Sequence, residues 1–181
     1  MSKEDAKLYR GTVARLNYIA SDRIDIQFAV KEAARNMSNP RVRDWHALIR
    51  LGKYIKGRPR MIMKYDWQSP VTVAVTYTDS DWVGCIKTAK STSGGIVTIG
   101  KHIIKSYSRQ QKTIALSSAE AELHAMLAAS AETIGIIGLC KDMGINIGGE
   151  VYADSSAALG IAQRSGNGKV RHLRVQALWV Q

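Results

Sequence analysis

The sequence predicts a mixed α/β fold (α/β or α+β) in which helices flank a mixed sheet, preceded by a small helical segment. Apolar residues recur at helical spacing in the first third of the chain, and strand and helix patterns then follow in the order β-β-β-α-β-α. The chain has 181 residues, of which 45% are hydrophobic, so it can bury one good core or hold one domain and part of another.

Three amphipathic helices are predicted in the first third of the chain. Apolar residues lie three or four positions apart in residues 7–20 and again in residues 24–37, and Ser38-Asn39-Pro40 then stops the second helix. The third helix ends near Gly57 and Pro59. Its other face carries Arg41, Arg43, Arg50, Lys53 and Lys56. That face is either ordinarily solvated or a track along a duplex backbone, and the spacing does not decide between them.

A domain junction is predicted at Trp67-Gln68-Ser69-Pro70, because helical patterns change to strand patterns there. The helical segment is therefore residues 1–67, and the second domain is residues 68–181. Within the first segment, residues 61–66 are compatible with a strand.

The second domain begins with three predicted strands. Residues 71–78 alternate in small and β-branched side chains, while residues 95–99 and 102–107 flank Gly100-Lys101 as a hairpin. Residues 91–95 are interpreted as a turn and not as a phosphate cradle, since no helix follows them directly.

The remaining elements are a long helix, a short strand and further helices. Ser117 and Glu120 form a capping box for a helix that runs to about Asp142. A strand over residues 150–153 and a helix over residues 155–164 follow. A glycine-rich loop then leads to another helical pattern in residues 170–181.

Three acidic residues lie where a regular element meets a loop: Asp79, Glu122 and Asp154. Carboxylates brought together repel one another unless a cation neutralises them, and their hard oxygen ligands suit Mg²⁺ or Mn²⁺. Such clusters usually serve phosphodiester cleavage. The alternatives are ordinary ones: Asp154 can cap the following helix, and acidic residues are favoured in a first helical turn whatever their function.

The net charge of +11 favours a polyanionic partner, with nucleic acid the first choice, although solubility alone also explains a high pI. Arg109, Gln111 and Lys112 precede the long helix and are candidates for phosphate contact or simply an exposed basic loop. Two distant cysteines suggest neither a disulfide framework nor a zinc site, and the charged N-terminus predicts no secretion signal. Charged and polar residues within the most hydrophobic stretch argue against a membrane span.

Three ordered blocks of the second domain carry a family resemblance: YTDSDWVGCIKTAKSTSGG, SYSRQQKTIALSSAEAELHAM and VYADSSAALGIA. They resemble the ribonuclease H domain of copia-type LTR retrotransposon Pol polyproteins over residues 71–181. Upstream, the segment from YRGTVARLNY to LGKYIKGR looks like the C-terminal end of the reverse transcriptase of the same polyprotein.

This resemblance implies a ribonuclease H-like fold that cleaves the RNA strand of an RNA–DNA hybrid with two Mg²⁺ (or Mn²⁺) ions. It places the metal ligands at Asp79, Glu122 and Asp154. The family's fourth carboxylate lies beyond the end of this sequence, which implies a domain truncated at its C-terminus, and Arg174 stands where an Asp is usual. The implied partners are the hybrid and the remainder of the Pol polyprotein, in a cytoplasmic retrotransposon particle or the nucleus.

Two other interpretations stay open. One is a catalytically impaired remnant of such a polyprotein that binds nucleic acid through its charge alone. The other is a divergent Holliday-junction or integrase-type nuclease of the same fold, which would lack the sequence blocks quoted above.

Overall fold

The computed structural model describes residues 1–163, and these residues form parts of two compact units. The first unit is Met1–Lys64, here called the helical unit, and the second begins at Tyr65 and is called the sheet unit. The last residue of the predicted helix 155–164 lies outside the described residues, and so does the whole of the predicted helix 170–181. Whether the two units correspond to a reverse transcriptase end and a ribonuclease H domain stays a prediction.

The helical unit contains the three predicted helices. They are α1 (Lys3–Ile19), α2 (Gln27–Arg35), which extends a short 3₁₀ turn at Ile24–Ile26, and α3 (Val42–Gly57). Ser2 begins α1, because its Oγ accepts a hydrogen bond of 3.0 Å from the Asp5 amide. The amphipathic patterns therefore predicted these helices to within a few residues.

The core of the helical unit lies among the three helices. The side chains of Tyr9, Val13, Ile26 and Val30 are fully or almost fully buried. Tyr9 satisfies its hydroxyl by donating to the Ala33 carbonyl oxygen at 2.8 Å.

The sheet unit is a four-stranded mixed sheet with two described helices. Its elements are β1 (Val73–Cys85), β2 (Lys90–Ile99), β3 (His102–Gln110), α4 (Ser118–Asp142), β4 (Gly148–Tyr152) and α5 (Ser156–Ala162). The strand order is β3-β2-β1-β4, with β4 parallel to β1 and the other pairs antiparallel. The mixed α/β fold is thus confirmed, and its ribonuclease H-like topology stays a prediction.

Helix α4 packs on one face of the sheet. Thr78 of β1 donates to the Ala125 carbonyl at 3.3 Å, and Thr76 hydrogen-bonds Thr133 at 2.6 Å. By length and composition alone α4 is apolar enough to cross a membrane, with a mean hydropathy of 1.5, but core helices of soluble proteins share that property. The absence of a membrane partner stays a prediction.

Two sequence-based expectations about strands are wrong. Residues 61–66 form no strand, and Ile62 is 87% exposed there, so no buried face holds the segment in a sheet. Residues 91–95 belong to β2 and not to a turn, and small residues are needed there by the neighbouring strand: a Cβ on Gly95 would meet the ring of Tyr107 on β3 at 2.4 Å.

Candidate metal centre

The topology of the sheet brings two of the predicted acidic residues to the same place. The parallel pairing of β1 with β4 ends at Tyr77 and Tyr152, and Asp79 and Asp154 each lie two residues further along. Because the carboxyl ends of parallel strands meet at one edge of a sheet, the two aspartates are neighbours. β1 itself continues to Cys85, paired with β2, so Asp79 is not at a strand end as the sequence suggested.

Glu122 reaches the same place from above the sheet. It lies near the start of α4, which the Ser117 side chain begins by accepting a hydrogen bond from the Glu120 amide at 3.2 Å. One carboxylate oxygen from each of Asp79, Glu122 and Asp154 lies within 4.8 Å of the other two. The aspartates are exposed and Glu122 is buried, so the cluster is open to solvent on one side.

The Glu122 carboxylate is held by one neighbour that the sequence did not reveal. Its Oε1 accepts hydrogen bonds from the amide and hydroxyl of Ser80, at 3.3 and 3.1 Å. Its Oε2 is buried and has no hydrogen-bond partner among the described residues. The signal for Ser80 was its position beside Asp79, but only the packing of α4 on β1 shows which atom it serves.

Electrostatics make this carboxyl group reluctant to ionise. Burial raises the pKa of Glu122 above its usual value, the charges of Asp79 and Asp154 raise it further, and the hydrogen bonds from Ser80 oppose the shift. A cation between the three groups would reverse the balance, because it would stabilise all three negative charges at once.

The donor set fits a hard divalent cation. Three carboxylates supply only oxygen ligands, as Mg²⁺ and Mn²⁺ prefer, and the buried Glu122 Oε2 is an acceptor that protein donors leave open. The cluster could therefore hold a metal ion, with Asp79 and Asp154 completing the ligand set.

Two nearby acidic residues have other partners. Asp81 accepts a hydrogen bond from the Thr92 amide on the neighbouring strand. Glu120 accepts from the Leu116 amide at 2.9 Å, one residue before the Ser117 cap of α4. The alternative role considered for Asp154 is filled by Ser155, whose Oγ accepts from the Ala158 amide at the start of α5.

The predicted nucleic-acid contacts in the sheet unit have three different environments. Arg109 donates to Glu132 at 2.7 Å and lies over the Tyr107 ring, while Lys112 is exposed. Gln111 is only 8% exposed, so its side chain is part of the interior and not of an exposed basic loop. In the helical unit, Arg50 and Lys53 are exposed on α3. A role of these five residues in binding nucleic acid stays a prediction.

Fold and site together define a mixed α/β protein with a three-carboxylate cluster of the kind that binds divalent metal ions. The chain is similar to retrovirus-related Pol polyproteins of plant transposons. It is 33% identical over 156 residues to the one from transposon RE2 of Arabidopsis thaliana, covering 85% of this chain and 11% of that protein. It is 34% identical over 143 residues to the one from transposon RE1 of the same plant, covering 79% and 10% respectively.

A third relative is the Pol polyprotein from transposon TNT 1-94 of Nicotiana tabacum, 28% identical over 176 residues, or 96% of this chain and 13% of that protein. The chain therefore spans roughly a tenth of the length of these relatives. No protein-family model matches the sequence.

Proposed function

We propose that this chain joins the C-terminal end of a copia-type reverse transcriptase to a ribonuclease H-like domain, and that the latter hydrolyses the RNA strand of RNA–DNA hybrids. The observation that carries the proposal is the convergence of Asp79, Glu122 and Asp154 within 4.8 Å, with one buried Glu122 oxygen left open. The similarity to plant Pol polyproteins supports it, because the matched region falls within proteins of retrotransposon origin.

Each residue of the cluster has a separate task in this proposal. Asp79 and Asp154 would hold Mg²⁺ or Mn²⁺ at the solvent side, where a phosphodiester can approach. Glu122 would hold it from the buried side, with its carboxylate oriented by Ser80. When bound, a divalent cation in such a site activates water for attack and stabilises charge on the leaving oxygen.

Nucleic-acid affinity would come from the basic residues. The chain carries 26 Lys and Arg against 15 Asp and Glu, and 15 of those cations precede residue 71. Exposed cations such as Arg50, Lys53 and Lys112 would contact phosphates and release condensed counterions. The natural setting we propose is a Pol polyprotein in a retrotransposon particle, in the cytoplasm or the nucleus.

The test is cleavage of a hybrid whose RNA strand is labelled, with and without Mg²⁺. We expect Asp79→Asn to reduce the rate by about a hundredfold or more, since one ligand and its charge are lost. The matched control is Asp142→Asn, which changes an exposed aspartate at the opposite end of α4 and should cleave like the parent.

Equal cleavage by Asp79→Asn and the parent would refute the catalytic assignment. Salt-dependent binding of the hybrid without any Mg²⁺-dependent cleavage would instead support the impaired, nucleic-acid-binding remnant.

A further inference from the structure

A half-open cavity of about 360 Å³ lies in the sheet unit. Its lining includes Ser93, Tyr107, Arg109, Gln111, Lys112 and His124. Strand register relates the cavity to the cluster, because Ser80 is paired with Ser93 and Ser93 with Arg109. The cavity is therefore one strand away from the residue that orients Glu122.

A buried amide in this cavity has an unused acceptor. The Gln111 Nε2 donates to the Ala121 carbonyl at 2.8 Å and to the Ser93 hydroxyl at 3.0 Å. These bonds fix the amide orientation, since a flipped amide would set its oxygen against the Ala121 carbonyl. The Gln111 Oε1 is buried and accepts no hydrogen bond from any residue that the structure describes. An unmade hydrogen bond of this kind is unfavourable, so a ligand that donates to Oε1 would gain affinity.

The other walls of the cavity combine an aromatic ring with positive charge. The Arg109 guanidinium lies 4.9 Å from the centroid of the Tyr107 ring, and Lys112 is exposed at the surface. Lys112 can attract an anion without giving up an ion pair, whereas Arg109 already shares its charge with Glu132. The Tyr107 ring itself is buried and covered by Arg109, so what the cavity offers a ligand is the buried Gln111 acceptor and the Lys112 cation.

We propose that this cavity binds one unpaired nucleotide, with its phosphate at Lys112 and a base N–H donating to Gln111 Oε1. A base stacked in a duplex cannot enter the cavity, so only an unpaired base can reach the buried acceptor. An inorganic phosphate reaches the cation but has no base N–H to donate to Gln111 Oε1. In its strand-bound form the inference rests on the proposed function, because the nucleotide would then flank the hybrid at the metal centre.

Binding is measured on the full chain in buffer that contains a metal chelator. Differences in cleavage between variants then cannot affect the measured affinities. We expect adenosine monophosphate to bind about tenfold tighter than inorganic phosphate, because it makes one more hydrogen bond. Gln111→Met should abolish that preference. Lys112→Gln changes an exposed site and leaves the fold intact, so it should weaken the binding of both ligands. The control is Lys101→Gln on the β2–β3 turn, which should change neither affinity.

Equal affinity of the parent for the nucleotide and for phosphate would overturn the proposal, as would an unchanged nucleotide affinity in Lys112→Gln. A hybrid with a short single-stranded overhang is compared with a blunt one to identify the source of the nucleotide. Tighter binding of the overhang that is lost in Gln111→Met assigns the site to a strand end. Nucleotide binding without this difference assigns it to a free nucleotide.

Discussion

Asp25 of the helical unit and Glu122 of the sheet unit lie in opposite electrostatic surroundings. In the helical unit Asp25 accepts two hydrogen bonds from Arg23, at 2.9 and 2.8 Å, and a third from the Tyr54 hydroxyl. These partners lower the pKa of Asp25 to about 2. In the sheet unit Glu122 faces two other carboxylates and its pKa is raised. The first arrangement stabilises a fold, and the second keeps an unfavourable charge where a cation can relieve it.

The same contrast exists inside the sheet unit. Burial would raise the pKa of Glu132, but hydrogen bonds and ion pairs from Lys105 and Arg109 outweigh it and lower that pKa. Glu122 and Glu132 lie on the same helix, so neither helix position nor residue type decides the direction of the shift. The neighbouring strands decide it: β3 supplies cations to Glu132, and β1 supplies Asp79 to Glu122.

The largest expected effect is on hybrid cleavage, which should depend on the carboxylates of the metal site and not on Asp25. Asp154→Asn should reduce Mg²⁺-dependent hybrid cleavage by about a hundredfold or more, because a metal ligand is lost. Asp25→Asn removes an equally charged group that serves only the helical unit, and should leave the cleavage rate unchanged. Comparable losses in the two variants, measured as initial rates, would erase the distinction drawn between the units.

A smaller effect is expected when the support of Glu122 is removed. Ser80→Ala deletes the hydroxyl donor at 3.1 Å and leaves the backbone donor in place. Loss of such an orienting bond commonly weakens metal binding about 10–100-fold, and we expect the lower end here. The control is Ser130→Ala, which lies on α4 about two helical turns from Glu122. Mn²⁺ titration followed by calorimetry should show weaker binding only for Ser80→Ala.

In the absence of metal, neutralising Glu122 should leave the sheet unit as stable or more stable. Because its pKa is raised, Glu122 adds stability below about pH 4.5, the usual pKa of the group. This stability is lost as the pH rises through the pKa of Glu122 in the folded state. Glu122→Gln should therefore raise the free energy of unfolding at pH 7 by up to ~1 kcal/mol and have little effect at pH 4. Thermal unfolding in a chelator at both pH values tests this. A loss of stability at pH 7 would contradict the repulsion argument.

The smallest expected effect concerns Asp25 in the helical unit, whose contribution to stability changes with pH in the direction opposite to that of Glu122. Because the pKa of Asp25 is lowered from 3.8 to about 2, its stabilisation is present above pH 3.8 and disappears as the pH falls towards 2. The pair lies near the surface, so we expect less than ~1 kcal/mol. Asp25→Asn should flatten the acid side of the stability curve, and Asp5→Asn, at an exposed position in α1, should not.

The sequence predicted the helices of the first unit well, because α1, α2 and α3 each bury a continuous apolar stripe. It failed for residues 61–66, where β-compatible side chains have no partner strand to pair with. It also failed for residues 91–95, since the small residues that suggest a turn are required by packing against β3, as the Tyr107 ring against Gly95 shows. Local composition predicts an element well only where its burial is also decided locally.

The amino-acid sequence by itself determined which carboxylates are candidates, because Asp79, Glu122 and Asp154 each stand at a recognisable place in a strand or helix pattern. Only the tertiary structure decided that they meet, through the parallel pairing of β1 with β4 and the packing of α4 on β1. It also decided that Ser80 holds Glu122 and that Gln111 is buried. The physical reason is that burial and hydrogen-bond partners come from strands far apart along the chain, which no local pattern records.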